Sequence, residues 1–172
     1  MPNDAGIITY AIYESGKEYL GHAKLTLPDK SYKTATISGA GVAGEVNVPY
    51  KGQVEAMSGS LEFIDNPKAA YELATPRVHK IDCRSAHEVF DEKSGTVKVS
   101  AHKHVMEVFP TSRTGGTIAP ASPQGAKVDF SVLSWKEYID GKLVSEIDAL
   151  RNRDIGPDGK DNLAEVRSAL GK

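Results

Sequence analysis

The sequence predicts a mainly β chain of the α+β type, built from antiparallel strands with one short flanking helix and a C-terminal helix. Three observations carry this. Asp140-Gly141 separates the β-rich runs Lys127 to Ile139 and Leu143 to Asp148, and Asp-Gly is a preferred two-residue hairpin turn. Arg77 to Phe90 and Val97 to Phe109 are long strand candidates joined by the turn-forming link Asp91-Glu92-Lys93-Ser94-Gly95-Thr96. Helix signals occur at two places: Pro67 behind a capping Asp65 or Asn66, and Asp161 ahead of Leu163, Val166 and Leu170 with Gly171 at the end.

Taken in order, Ile7-Ile8-Thr9-Tyr10-Ala11-Ile12-Tyr13 is rich in β-branched and aromatic residues, and Ser15-Gly16 turns it into a second strand, Tyr19 to Leu27. Pro28 ends that strand because it has no N–H to give a ladder. From Asp29 to Gly52 no periodicity persists, so this span reads as a long excursion with at most short strands at Thr34 to Ile37 and Glu45 to Pro49. Val54 to Phe63 reads as one strand, followed by the helix from Pro67 to Leu73, which Thr75-Pro76 stops. In Val97 to Phe109, one parity holds Val97, Val99, Ala101, Val105 and Phe109; the other holds Lys98, Ser100, His102 and His104, which reads as the solvated face. Thr111 to Gln124, with its prolines and paired glycines, reads as a mobile loop, and the mixed charges after Asp148 as a solvated link.

The 172 residues suit a single domain spanning 1–172, and 40% hydrophobic with 26% charged residues exclude wholesale disorder. No apolar run approaches the ~18 residues of a membrane span, and the N-terminus has no apolar leader, so neither secretion by a signal peptide nor stable membrane insertion is expected. Lys+Arg 21 against Asp+Glu 23 leaves no basic excess to neutralise phosphates, which argues against a protein that grips nucleic acid. The single cysteine, Cys83, reads as a small buried hydrophobe on a strand.

Two motifs invite a chemical reading. Gly39-Ala40-Gly41-Val42-Ala43-Gly44 spells a dinucleotide fingerprint, but Glu45-Val46-Asn47-Val48-Pro49 follows where a helix must open, so the segment is a flexible loop. His102-Lys103-His104 with Glu107, between Gly95 and Gly115, resembles the first metal motif of the cupins. Two imidazoles at i and i+2 share a strand face and can share an ion. The spacing departs from the cupin pattern, Glu107 has the opposite parity, and the second cupin motif is missing. No catalytic residue, cofactor or metal is therefore expected, and the chain does not read as an enzyme. A cupin-like metalloenzyme using His102 and His104 and a monomeric ligand-binding β-barrel stay open as alternatives.

Thr26-Leu27-Pro28 with the glycine loop Ser38 to Gly44, the strand-to-helix passage Leu61 to Leu73, and Tyr138-Ile139-Asp140-Gly141-Lys142-Leu143-Val144-Ser145-Glu146-Ile147-Asp148 leading to a final helix together resemble the major tail tube proteins of contractile-tailed bacteriophages and tailocins. The resemblance covers the chain from about Tyr10 onwards. It implies a β-sandwich or half-barrel subunit that forms hexameric rings, stacked into a hollow tail tube within the virion or tailocin particle and made in the bacterial host cytoplasm. Its partners would be itself, the sheath, the baseplate and the tape-measure protein, with DNA passing or ions leaking through the lumen without specific binding. A tube-forming secretion protein is the near alternative. By position, the excursion at 29–52 would make the ring-to-ring contact, with Gly39, Gly41 and Gly44 fitting against the neighbour. Strands Val54 to Glu62 and Lys98 to His104 are the candidates for lining the lumen.

Overall fold

A computed structural model of the chain describes residues 2–16 and 18–172. Strand accounts for 56% and helix for 7%, which makes the class mainly β. Eleven strands appear among the described residues: β1 (Pro2–Glu14), β2 (Glu18–Tyr19), β3 (Ala23–Thr26), β4 (Tyr32–Ile37), β5 (Val46–Val54), β6 (Met57–Phe63), β7 (His79–Asp91), β8 (Thr96–Thr114), β9 (Lys127–Ile139), β10 (Lys142–Asp148) and β11 (Arg153–Ile155). Helix α1 (Lys68–Leu73) follows β6, and α2 (Ala164–Ala169) ends the chain. Every pairing is antiparallel; nine strands form one sheet, β4 and β5 form a separate ribbon, and no barrel closes.

The sheet branches at β9. One edge of β9 pairs with β8 throughout, while the other serves β6 from Lys127 to Val132 and β10 from Ser134 to Ile139. The handover falls at Leu133, an extra residue left between the pairs Val108 with Val132 and Glu107 with Ser134. Such a bulge bends the strand and reverses its parity. Val128, Phe130 and Val132 therefore point into the core before the bulge, and Trp135 after it. A second bulge, at Thr111, carries β8 past Pro110, so the strand runs to Thr114 instead of ending at Phe109.

The core lies between the arm β3–β6 and the main sheet. Ile81, Met106, Trp135 and Ile147 form one cross-strand row, bounded by Glu14 on β1 and Asp154 on β11. Met57, Leu61 and Phe63 of β6 and Ala70 and Leu73 of α1 complete the core. Cys83 is buried there as expected, and burial pushes its thiol up to about 11, with Asp82 adding to the shift.

Several local expectations change. Gly21, at φ +81°, interrupts the strand expected from Tyr19 to Leu27. Glu55-Ala56 separates β5 from β6, because β5 belongs to the ribbon and β6 to the arm on β9. Pro67 is itself the N-cap of α1 and makes no side-chain cap; Asn66 is held by Arg113 and Tyr71 instead. Leu163, also the N-cap, is the buried anchor of the last segment, whereas Leu170 is exposed. The segment after Thr114 is tied across by Thr117 N to Gln124 O, 2.9 Å, and by Gln124 Nε2 to Gly115 O, 2.6 Å. The mixed charges after Asp148 include β11, which pairs with β10.

The β8 parity is the reverse of the expected one. Ser100, Met106 and Val108 are buried and His102 and His104 half-buried, whereas Val97 and Val99 are exposed. Met106 and Val108 meet Trp135 and Val132 across the ladder, so they decide the inward phase; Val97 and Val99 lie beyond the end of β9, where nothing covers them.

Met106→Ala should cost about 2–5 kcal/mol in urea unfolding through the cavity it leaves. Ile118→Ala, at an exposed loop position, should change stability by less than about 0.5 kcal/mol.

Candidate functional site

The excursion at 29–52 folds into an ordered ribbon, more regular than the short strands expected. Ile37 pairs with Val46, Ala35 with Val48, Thr36 with Asn47 and Thr34 with Pro49, across a loop containing Gly39, Gly41 and Gly44. Those three glycines have φ of +144°, +91° and +126°, a region that favours glycine, and a Cβ at any of them would meet open space. Backbone conformation, not a close approach within the subunit, therefore requires them. Directly paired residues share a face, so Ile37, Ala35, Val46 and Val48, continued by Tyr50, form an apolar face opposite Thr34, Thr36 and Asn47. The apolar face is bare: Val46 is 53% and Tyr50 56% exposed.

Among the described residues, the ribbon is fastened at its base. Asp154, buried at the end of the core row, accepts hydrogen bonds from Lys30 Nζ at 2.9 Å and the Tyr32 hydroxyl at 3.2 Å. Glu55 N donates to Ser31 O at 2.8 Å, and Lys51 pairs with Glu165 in the first turn of α2. Gly52, at φ +66°, lies against Leu163 so closely that a Cβ would collide with that side chain.

The main sheet has open edges. β1 is paired with β7 along its whole length, but among the described residues its other side pairs with β2 at Tyr13 and Glu14, with Ile12 O accepting from Leu20 N at 2.9 Å, and Asn3 to Ala11 lie open there. Thr96 to Ala101 of β8 pairs with β7 alone, since β9 begins opposite His102; Asp140 covers the end of this stretch by accepting from Ala101 N. The distal parts of β1, β7 and β8 thus form a three-stranded tab, and Val97 and Val99 on its outer face are 58% and 64% exposed.

Charges on the outer face of the main sheet are paired. Asp82 meets Arg84 and Lys103, Glu146 meets Lys136 and Arg153, and Asp148 and Glu107 share Arg151. Asp82, Glu146 and Asp148 are buried beneath their cations, which offsets the cost of desolvating them. This face is not visible in the sequence because its charges come from five strands, β7 to β11. Of the lumen candidates, Ser58 and Ser60 on β6 point away from the core face, whereas His102 and His104 point toward it. The second candidate strand therefore presents Val99, Ala101 and Lys103 outward instead.

His102 and His104 do not form the metal site that their spacing suggests. Glu107 lies on the opposite face of the sheet and pairs with Arg151, and no group of three or more His, Cys, Asp or Glu among the described residues is placed to hold a metal ion.

Gly52→Ala should separate the ribbon base from Leu163, raising hydrogen exchange across Tyr32 to Ile37 while leaving β9 protected. The native Cys83 thiol should react with a thiol reagent about a hundredfold more slowly than the unfolded chain, matching its upward shift from 9.0 to about 11.

A family model for the phage tail tube protein FII matches residues 4–171. No curated protein sequence is matched. Among solved structures, a chain in the extended sheath-tube complex of the PVC extracellular contractile injection system is similar at a TM-score of 0.53 and 16% identity, covering 75% of this chain and 87% of that one. A chain of the PVC sheath/tube terminator in the extended state is similar at 0.52 and 14%, covering 76% and 94%. The tube-terminating cap of the anti-feeding prophage gives 0.53 and 18%, covering 75% and 87%. At these identities the structures speak for the fold. The match along nearly the whole length speaks for the family, and the chain belongs to the phage tail tube protein FII family, as a structural subunit of a tail tube.

Proposed function

We propose that this subunit assembles with copies of itself into closed rings that stack into a hollow tube, and that the β4–β5 ribbon at 29–52 is the clasp between rings. The observation that carries the reading is the uncovered apolar face of a ribbon held at its base. An isolated two-stranded ribbon is marginal in water, and this one leaves Ile37, Val46, Val48 and Tyr50 unburied. A neighbouring ring supplies the missing cover. Gly39, Gly41 and Gly44 shape the tip that reaches it.

Lateral contact uses the edges. The open side of β1 and the open stretch Thr96 to Ala101 of β8 face opposite ways across the tab, so joining one to the other head to tail continues the sheet from subunit to subunit. Repeated around a ring, such a contact closes and leaves no free edge. Hexameric rings, a surrounding sheath, a baseplate and a tape-measure protein complete the reading, with DNA as cargo in a phage and ions in a tailocin. The protein acts mechanically and carries out no reaction. The likeness to chains of an extracellular contractile injection system favours one second reading: the same tube in a headless injection particle.

Electron microscopy of the purified protein over increasing concentration tests the assembly. Rings and hollow rods are expected; a monomer at every concentration, including in the presence of preformed tail baseplates, counts against it. Val48→Asp, which puts a charge on the apolar ribbon face, should leave rings but shorten or abolish stacks. Rods of unchanged length in that variant would remove the ribbon from the ring-to-ring contact.

A further inference from the structure

The inner face of the tab carries titratable groups outside the ribbon and edge contacts proposed above. His87 on β7 and His102 on β8 are stacked, with ring centroids 3.8 Å apart and planes 16° from parallel. His102 stands opposite Ser85 and His87 opposite Ser100, so the rings bridge the two strands diagonally. His104 follows on the same face, opposite Cys83. These residues lie between the buried core at Met106 and Cys83 and the exposed end of the tab at Val97 and Val99.

Their surroundings come from every neighbouring element. On β1, Asp4 Oδ2 lies 3.9 Å from His87 Nδ1, and Ile7 and Tyr10 line the cleft beneath. Lys24 and Leu25 on β3, and Leu27 just after it, line its other wall. On β7, Ser85 Oγ is 2.9 Å from His87 Nε2, and Cys83 adjoins. On β9, Glu137 Oε1 is 3.4 Å from His104 Nδ1, and Asp140 in the following turn holds Ser100 Oγ at 3.2 Å.

Two imidazolium rings at this separation repel strongly, even with the screening a protein surface provides. We propose that the His87–His102 stack is an acid-sensitive clasp, holding the free end of the β1–β7–β8 tab in register while its rings are neutral and releasing it when both take protons. The electrostatics agree in direction. Burial holds His102 below the ordinary histidine value, facing His87 lowers it further, and Asp4 draws it part of the way back; His104 and Asp140 make smaller opposing contributions. The folded chain therefore binds a proton at His102 less readily than the unfolded chain. Its contribution to stability is full above pH 6.5 and is lost as pH falls from there through the lower folded value.

The test follows the imidazole resonances of the full chain by NMR titration. It also compares amide exchange of Thr96 to Ala101 at about pH 7 and pH 5, corrected for intrinsic rates, in the native protein and in His102→Gln. Exchange in the native protein should rise at least about tenfold in acid, and less than about twofold in the variant. An equal rise in both, or a His102 midpoint at or above the ordinary histidine value, overturns the clasp. If His102→Gln does not fold, the midpoint in the native protein decides alone. Both readouts are taken on dilute subunit, so a failure of ring formation leaves this result intact, and a failure of the clasp leaves the tube reading intact.

Discussion

The bulge at Leu133 is the constraint on which the rest of the molecule depends. A strand without it would keep one partner on each edge, and its inward residues would keep one phase. With one extra residue, β9 turns away from β6 and joins β10, so a single strand belongs to both the arm and the main sheet. The core exists because of that bend. Phe130 and Val132 pack on one side of the bulge, Trp135 on the other, and the row from Ile81 to Ile147 fills the space between.

The row ends in buried carboxylates. Glu14, at the β1 end, sits 2.6 Å from His79 Nδ1, whose other nitrogen lies 3.0 Å from Thr75 O, so this site ties the segment after α1 to the sheet. Asp154, at the β11 end, holds Lys30 and Tyr32, and through them the ribbon. A buried carboxylate is stable only when its charge is met, so each end of the core demands a particular partner from a distant part of the chain. The ribbon is thereby oriented by the core although it contributes almost nothing to it. What remains unmet in the subunit is apolar ribbon surface, open strand edge and the bare outer face of the tab, and these are the features that a self-assembling subunit leaves for its neighbours.

Much of the candidate site was legible before the fold. The glycine-rich turn between Ile37 and Val46 was legible as a loop at the tip of the excursion; the positive φ at Gly39, Gly41 and Gly44 was added by the structure. The ordered ladder beneath it was less visible, because Pro49 sits within β5 and the apolar residues face no core. Parity in β8 misled for a related reason. Val97 and Val99 look like core residues by type, but a strand of 19 residues outruns the sheet that covers it, and hydrophobic residues past that limit stay exposed.

By itself the sequence determined the mainly β class, the long β7–β8 pair, β9 with its Asp140-Gly141 hairpin, and the family, since turn chemistry and residue type act over a few neighbouring positions. Tertiary structure alone decided the branch at β9, the inward phase of β8, the pairing of Asp82 and Glu146 with cations on other strands, and the meeting of His87 with His102. Each of these depends on register between segments far apart in the chain. A one-residue slip exchanges every side chain between the two faces, and local pattern does not encode that choice when both parities of a strand hold apolar residues.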